Sequence, residues 1–158
     1  NLLTRSADGN DGVEPAGNST ASQVFLRLHA YGLGNAMRED AERIFRSFSN
    51  SFIQNGLNMA AMLQSLHFKL RGPKGLVIFG KRGDPETESL LEVARREFHP
   101  SLVTAFVSKK LMETVASILP LTRGRGSIEG RPTAYVCINQ TCRLPVHKAD
   151  ELKVQLRA

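Results

Sequence analysis

Gly75-Leu-Val-Ile-Phe-Gly80, continued by Lys81-Arg-Gly-Asp-Pro85, is the stretch on which the reading of this chain turns. Leu76 to Phe79 is a short apolar block bounded by glycines, which reads as a strand, and Asp84-Pro85 supplies an N-cap with proline at the first helical position. The helix that follows presents Leu90, Leu91, Ala94 and Phe98 on one face and stops at His99-Pro100. Leu102-Val-Thr-Ala-Phe-Val107 then reads as a second strand, so the segment predicts a right-handed βαβ unit and a small parallel sheet. A strand-to-helix turn is where α/β folds hold phosphates. Gly80-Lys-Arg-Gly-Asp-Pro85 carries neither G-x-G-x-x-G nor G-x4-G-K-[ST], so it reads as a turn with exposed Lys81 and Arg82.

Upstream of this block the periodicity is helical. Residues 1–17 hold Asp8, Asn10, Asp11, three glycines and Pro15, a loop composition. From Ser19, Ala21, Val24, Phe25, Leu28 and Tyr31 recur at helical spacing with Asn18 or Ser19 as N-cap, and the helix runs to about Tyr31. Gly32-Leu-Gly-Asn35 breaks the pattern. Met37, Ala41, Ile44, Phe45, Phe48 and Phe52 then form one stripe opposite a charged face, and Met59, Met62, Leu63, Leu66 and Leu70 continue after Asn55-Gly56 until Gly72-Pro73. Short glycine links between such helices predict antiparallel hairpins. Downstream, Lys109 to Leu119 reads as a helix burying Leu111, Met112, Val115 and Ile118. Thr133 to Ile138 reads as a third strand, and Ala149 to Leu156 as a terminal helix.

Bulk properties narrow the class. The 158 residues suit one domain, 41% are hydrophobic and 23% charged, and no apolar run reaches the roughly 18–20 residues of a membrane helix. A soluble protein without a membrane partner is expected. The net charge of +6 would permit a polyanion, but the chain has no tryptophan and two tyrosines and shows no interleaved aromatic motif, so nucleic acid is disfavoured against a solvated basic face. It opens Asn1-Leu-Leu-Thr without methionine or leader and reads as a fragment. Compartment is left open, with the cytoplasm slightly favoured. The sequons Asn18-Ser-Thr20 and Asn139-Gln-Thr141 matter only on a secretory route.

Two segments carry candidate chemistry. In Asp11-Gly-Val-Glu-Pro-Ala-Gly-Asn-Ser19 two carboxylates and an amide precede a helix start, whose free N–H donors favour oxygen-rich ligands. Asp11, Glu14 and Asn18 could meet a sugar or similar polar solute, or could cap the helix. In Cys137-Ile-Asn-Gln-Thr-Cys142, a C-x4-C pair with His147 five residues on could supply three ligands to zinc or close a small disulfide loop. Three ligands do not complete a structural zinc site and the spacing is not C-x-x-C. The preferred reading is a pair of reduced, structurally placed thiols, with no metal and no cofactor.

Together the two segments resemble motifs of the spermatogenesis-associated protein 20 family, whose members carry a thioredoxin-like domain followed by an α/α barrel. The acidic loop is similar to that family's Asp-Gly-x-Glu-Pro-Ser-Gly-Asn-Ser pattern, with Ala16 in place of serine. The cysteine segment is similar to Tyr-Val-Cys-Glu-Asn-Phe-Thr-Cys, with Ile138 and Gln140 in place of Glu and Phe. The resemblance implies a mainly α fold. Residues 1–72 would be the closing hairpins of a six-hairpin glycosidase-like barrel and 73–158 an appended α/β segment with the Tyr-Val-Cys strand, together one domain truncated at its N-terminus. It further implies that Glu14 and Asn18 face a ligand pocket, so that the barrel binds or acts on carbohydrate. The alternative is a non-catalytic interaction scaffold for the upstream thioredoxin-like domain of the same protein. No complete catalytic constellation is present, and whether the chain is an enzyme is left open.

Overall fold

The computed structural model describes residues 8–97, 99–138 and 141–157. Phe98 of the expected helix face, Asn139 and Gln140 of the cysteine segment, and the first seven residues of the N-terminal loop lie outside that set. The described residues divide into two compact units, one of residues 8–29 and 34–71, the other of 30–33 and 72–157.

The first unit is helical: α1 (Gly17–Ala30, whose last residue belongs to the second unit), α2 (Asn35–Ser47), α3 (Ser49–Asn55), a 3-10 turn at Gly56–Met59, and α4 (Ala60–Arg71). Leu26, Ala41, Phe45, Phe48, Met59, Met62 and Phe68 form its buried apolar set. The stripe expected to run unbroken through Phe52 is interrupted at Phe48, whose N–H still reaches the Ile44 carbonyl while its φ of −104° leaves the helix. Serine hydroxyls at the junction bond back to carbonyls, Ser47 to Arg43 and Ser49 to Arg46, a competition with the backbone ladder that bends or ends helices. α1 also differs from expectation. It buries Ser19, Ser22 and Leu26, whereas Val24 of the apolar stripe is 47% exposed. Small hydroxyl side chains let α1 meet α4: the Ser65 hydroxyl donates to the Ala61 carbonyl and, at 3.4 Å, to that of Ser19. The Ser22 hydroxyl donates to the same Ser19 carbonyl, and a buried hydroxyl so satisfied costs little.

The second unit is built on a four-stranded mixed sheet in the order β2-β1-β3-β4, with β1 (Lys74–Gly80), β2 (Leu102–Ser108), β3 (Thr133–Ile138) and β4 (Thr141–Cys142). β1 and β2 are parallel, in register from Lys74 opposite Leu102 to Gly80 opposite Ser108, and α5 (Pro85–Arg96) joins them. β3 runs antiparallel to β1, and β4 antiparallel to β3. β1 therefore has a partner on each edge and is buried on both faces, which explains its unbroken apolar run. One face packs Leu76, Ile78, Ala134 and Val136 against Leu90, Leu91 and Val93 of α5 and Leu152 and Leu156 of α7 (Ala149–Arg157). On the other face the Phe79 and Tyr135 rings meet edge to face at 5.8 Å. Gly75 there faces Leu121, which would lie 2.9 Å from a Cβ at that position.

This sheet overturns the mainly α expectation in which the chain closes a six-hairpin glycosidase-like barrel: the protein is α/β. The physical reason lies in β1. A central strand buried on both faces organises the core of its unit. The sheet is also mixed rather than parallel, because β3 adds to the free edge of β1 in the opposite sense. α6 (Met112–Ile118) follows a 3-10 turn at Lys109–Leu111, and Leu111 and Ile118, expected to be buried, are 54% and 66% exposed.

Candidate functional site

The acidic loop is held by Asp11. One carboxylate oxygen accepts the Ala16 N–H at 2.9 Å, just before α1, and the other accepts the Ala61 N–H at 2.7 Å, in the first turn of α4. The Asp11 N–H in turn donates to the Asn58 carbonyl at 2.6 Å. Both helix starts carry N–H groups without intrahelical partners and a favourable field for negative charge, so one carboxylate serves two helices. Partial burial opposes ionisation of Asp11. The hydrogen bonds from the Ala16 and Ala61 N–H groups outweigh it and hold the carboxyl below its ordinary range. The loop packs tightly beneath: a Cβ on Gly9 would stand 2.6 Å from the Phe48 ring and 2.9 Å from the Met59 methyl.

The other two residues proposed for a ligand are engaged differently from Asp11. The Asn18 amide donates to the Asp8 carbonyl at 2.8 Å, closing the loop on itself. Glu14 is exposed, and among the described residues its carboxylate makes no hydrogen bond or ion pair. Residue types alone do not distinguish a carboxylate aimed at a ligand from one satisfying two helix starts. Only the position of Ala61, 50 residues along the chain, decides it.

Cys137 and Cys142 are directly opposed on β3 and β4 and are joined in a disulfide. The expectation of a reduced pair is corrected by this hairpin: cross-strand neighbours have their Cβ atoms close enough for a bond, which two positions on one loop need not. The sequence missed β4 because two residues give no alternation to read. His147 does not join the cysteines. Its Nδ1 lies 2.8 Å from the Pro132 carbonyl. What does reach the sulfurs is Arg125, whose Nε donates to Cys142 Sγ at 3.0 Å while its Nη1 donates to the carbonyls of Leu121 at 2.7 Å and Arg123 at 3.0 Å. Arg125 sits in the glycine-containing connection between α6 and β3, and nothing in its local sequence marks it.

The strand-to-helix turn is closed internally. Asp84 accepts the Thr87 N–H at 2.9 Å and the Thr87 hydroxyl at 2.8 Å, and Glu88 accepts the Gly83 N–H at 3.1 Å. These bonds from Thr87 lower the Asp84 carboxyl from its usual range. The N–H donors that a phosphate would use are partly taken by the turn's own carboxylates.

Fold and sites together define an α/β protein with a clamped acidic loop and a hairpin disulfide. Comparison with known proteins supplies its kinship: the chain is 26% identical over 152 residues to spermatogenesis-associated protein 20 of Homo sapiens, and 25% identical over the same length to that of Mus musculus. Each match covers 96% of this chain and 19% of the relative, so the chain spans about a fifth of the length of these curated relatives. It is also 29% identical over 156 residues to an uncharacterized protein of Caenorhabditis elegans. The resemblance carried by the two motifs thus extends over nearly the whole chain, which is similar to about a fifth of spermatogenesis-associated protein 20. No family model matches the chain, and no solved structure matches it.

Proposed function

We propose that this chain is a non-catalytic interaction scaffold whose partner is a redox-type thioredoxin-like domain. The observation that carries the reading is the engagement of Asp11, whose two oxygens are both occupied by backbone N–H groups. Glycoside chemistry uses two carboxyl groups facing one another about 5–10 Å apart, and Asp11 is not free to be one of them. Glu14 then stands alone on an exposed loop.

The second unit supports the same reading. Strand order β2-β1-β3-β4, a parallel first pair, an antiparallel second pair, and α5 and α7 on one face are the arrangement of a thioredoxin fold. Thioredoxin-type redox chemistry places its cysteine pair at the helix start after the first strand, where the helix field lowers the thiol pKa. Here that turn reads Gly80-Lys-Arg-Gly-Asp-Pro85 and holds no cysteine. A fold of this kind without its reactive pair keeps its surfaces and loses its chemistry, and fold alone does not confer the activity. The family resemblance supplies the partner class, and the exposed Leu111, just before α6, and Ile118, at its end, leave apolar surface for it.

The test is a titration of the isotopically labelled chain with the thioredoxin-like domain of human spermatogenesis-associated protein 20, followed by NMR. Saturable shifts are expected. A parallel thermal-shift panel of mono- and disaccharides should leave the melting temperature unchanged. A sugar-specific rise that disappears in Glu14→Gln would overturn the scaffold reading in favour of a carbohydrate module.

A further inference from the structure

The Cys137–Cys142 bond lies on the face of the sheet that also carries Phe79 and Tyr135, with Arg125 against one sulfur only. Cys137 is 2% exposed, whereas Cys142, on the short strand β4, is half-buried. An incoming thiolate therefore reaches Cys142 Sγ first. Three contacts hold the Arg125 guanidinium there before any bond opens. Arginine stays charged at all relevant pH values, and a fixed cation beside sulfur favours the thiolate over the thiol.

From this asymmetry we infer that Cys137–Cys142 is a thiol–disulfide exchange site that takes dithiol reductants, with Arg125 holding Cys142 as a thiolate once the bond opens. The site is separate from the scaffold reading and stands or falls on its own. A reductant thiolate attacks Cys142 Sγ, the electron pair of the S–S bond passes to Cys137 Sγ, and Cys137 takes a proton from water. The second thiol of the reductant loses its proton and attacks the reductant sulfur of the mixed disulfide. The pair of that bond returns to Cys142 Sγ, which stays ionised beside Arg125. The balance is protein disulfide plus dithiol giving protein thiol, protein thiolate, cyclic disulfide and one proton.

The other charged and titratable groups near the pair are turned elsewhere. Arg143, just after β4, donates to the Gln155 carbonyl. The Tyr135 hydroxyl of β3 donates to the Gly126 carbonyl, and Lys74 of β1 reaches the Leu156 carbonyl. No carboxylate among the described residues hydrogen-bonds to either sulfur. Arg125 is thus the group whose removal should show in the proton balance.

The experiment equilibrates the whole chain with mixtures of reduced and oxidised dithiothreitol between pH 6.5 and 9. Free thiols are trapped with iodoacetamide and located by mass spectrometry. The equilibrium constant for reduction should rise as pH increases from near neutrality, up to tenfold per unit, because one proton is released. Arg125→Gln should lower the constant about tenfold near pH 7.5, equivalent to about 30 mV, and should stay flat until the ordinary thiol range near 8.5. Arg125→Lys should keep part of the native pH dependence. Thermal melts report whether each variant is folded. If Arg125→Gln is not, the alkylation profile of native Cys142 decides alone, with a midpoint clearly below 8.5 expected. Identical constants in native and Arg125→Gln protein, a native Cys142 midpoint at 8.5 or above, or a bond that opens only on global unfolding would each overturn the inference.

Discussion

The carboxylate of Asp11 accepts the backbone N–H of Ala61 at 2.7 Å across 50 positions of sequence, while its other oxygen accepts the N–H of Ala16. One side chain thereby ties the N-terminal loop to the starts of α1 and α4. Asp11→Ala leaves two N–H groups without their acceptor and should cost about 1–3 kcal/mol in urea unfolding. Asp11→Asn keeps one acceptor oxygen and should lose less. Glu14→Gln, three residues on and exposed, should stay within about 0.5 kcal/mol of the native value. Equal losses at positions 11 and 14 would refute the clamp.

The same carboxylate sets an acid dependence. The folded pKa of Asp11 lies below its ordinary value, so its contribution is present above the unfolded pKa of about 3.9 and is lost as pH falls through the folded one. The stability gap between native protein and Asp11→Asn should be constant above about pH 5 and narrow steadily below pH 4. Urea midpoints measured at intervals from pH 7 to pH 2.5 check this.

At Gly80 the sheet and α5 touch. A Cβ there would meet the Thr87 side chain, with its Cγ2 at 2.7 Å, and Thr87 carries two of the hydrogen bonds that cap the helix. Gly80→Ala should therefore displace Thr87 and destabilise by about 1–3 kcal/mol. Gly83→Ala is strained for a different reason, its φ of +80° with open space around it, and should cost about 1 kcal/mol. Amide exchange in the first turn of α5 should accelerate in Gly80→Ala well before global unfolding.

Leu90 of α5 is fully buried against β1 and α7. Leu90→Ala should cost about 2–5 kcal/mol, and Val154→Ala on the exposed side of α7 within about 0.5 kcal/mol. Chemical denaturation of the two variants side by side distinguishes the sheet-centred core from a helical arrangement in which α7 is peripheral.

Much of the second unit was legible because its signals are local. Leu76 to Phe79 is apolar at every position, as a strand buried on both faces requires, and Asp84-Pro85 announces the helix start by cap chemistry alone. Thr133–Ile138 was readable to the residue from its β-branched and aromatic content. Less could be read where two elements share one stripe. Phe48 keeps the helical spacing of its neighbours while its backbone leaves the helix, and spacing does not report φ. In α1 the apolar stripe suggested one buried face, and the fit of Ser19, Ser22 and Ser65 selected another. The barrel expectation came from family resemblance and not from these residues, whose own pattern already read strand, helix, strand, helix, strand, helix from Leu76 onward.

The sequence by itself determined which segments could be strands or helices, where α5 begins, and that the turn after β1 carries no cysteine pair. Tertiary structure alone decided the antiparallel addition of β3 to β1, the opposition of Cys137 to Cys142, the approach of Arg125, and the two helix starts that share Asp11. Periodicity shows that a face must be covered. It cannot show what covers it, because the covering partner lies tens of residues away and is selected by fit, register and hydrogen-bond geometry once the chain has closed on itself.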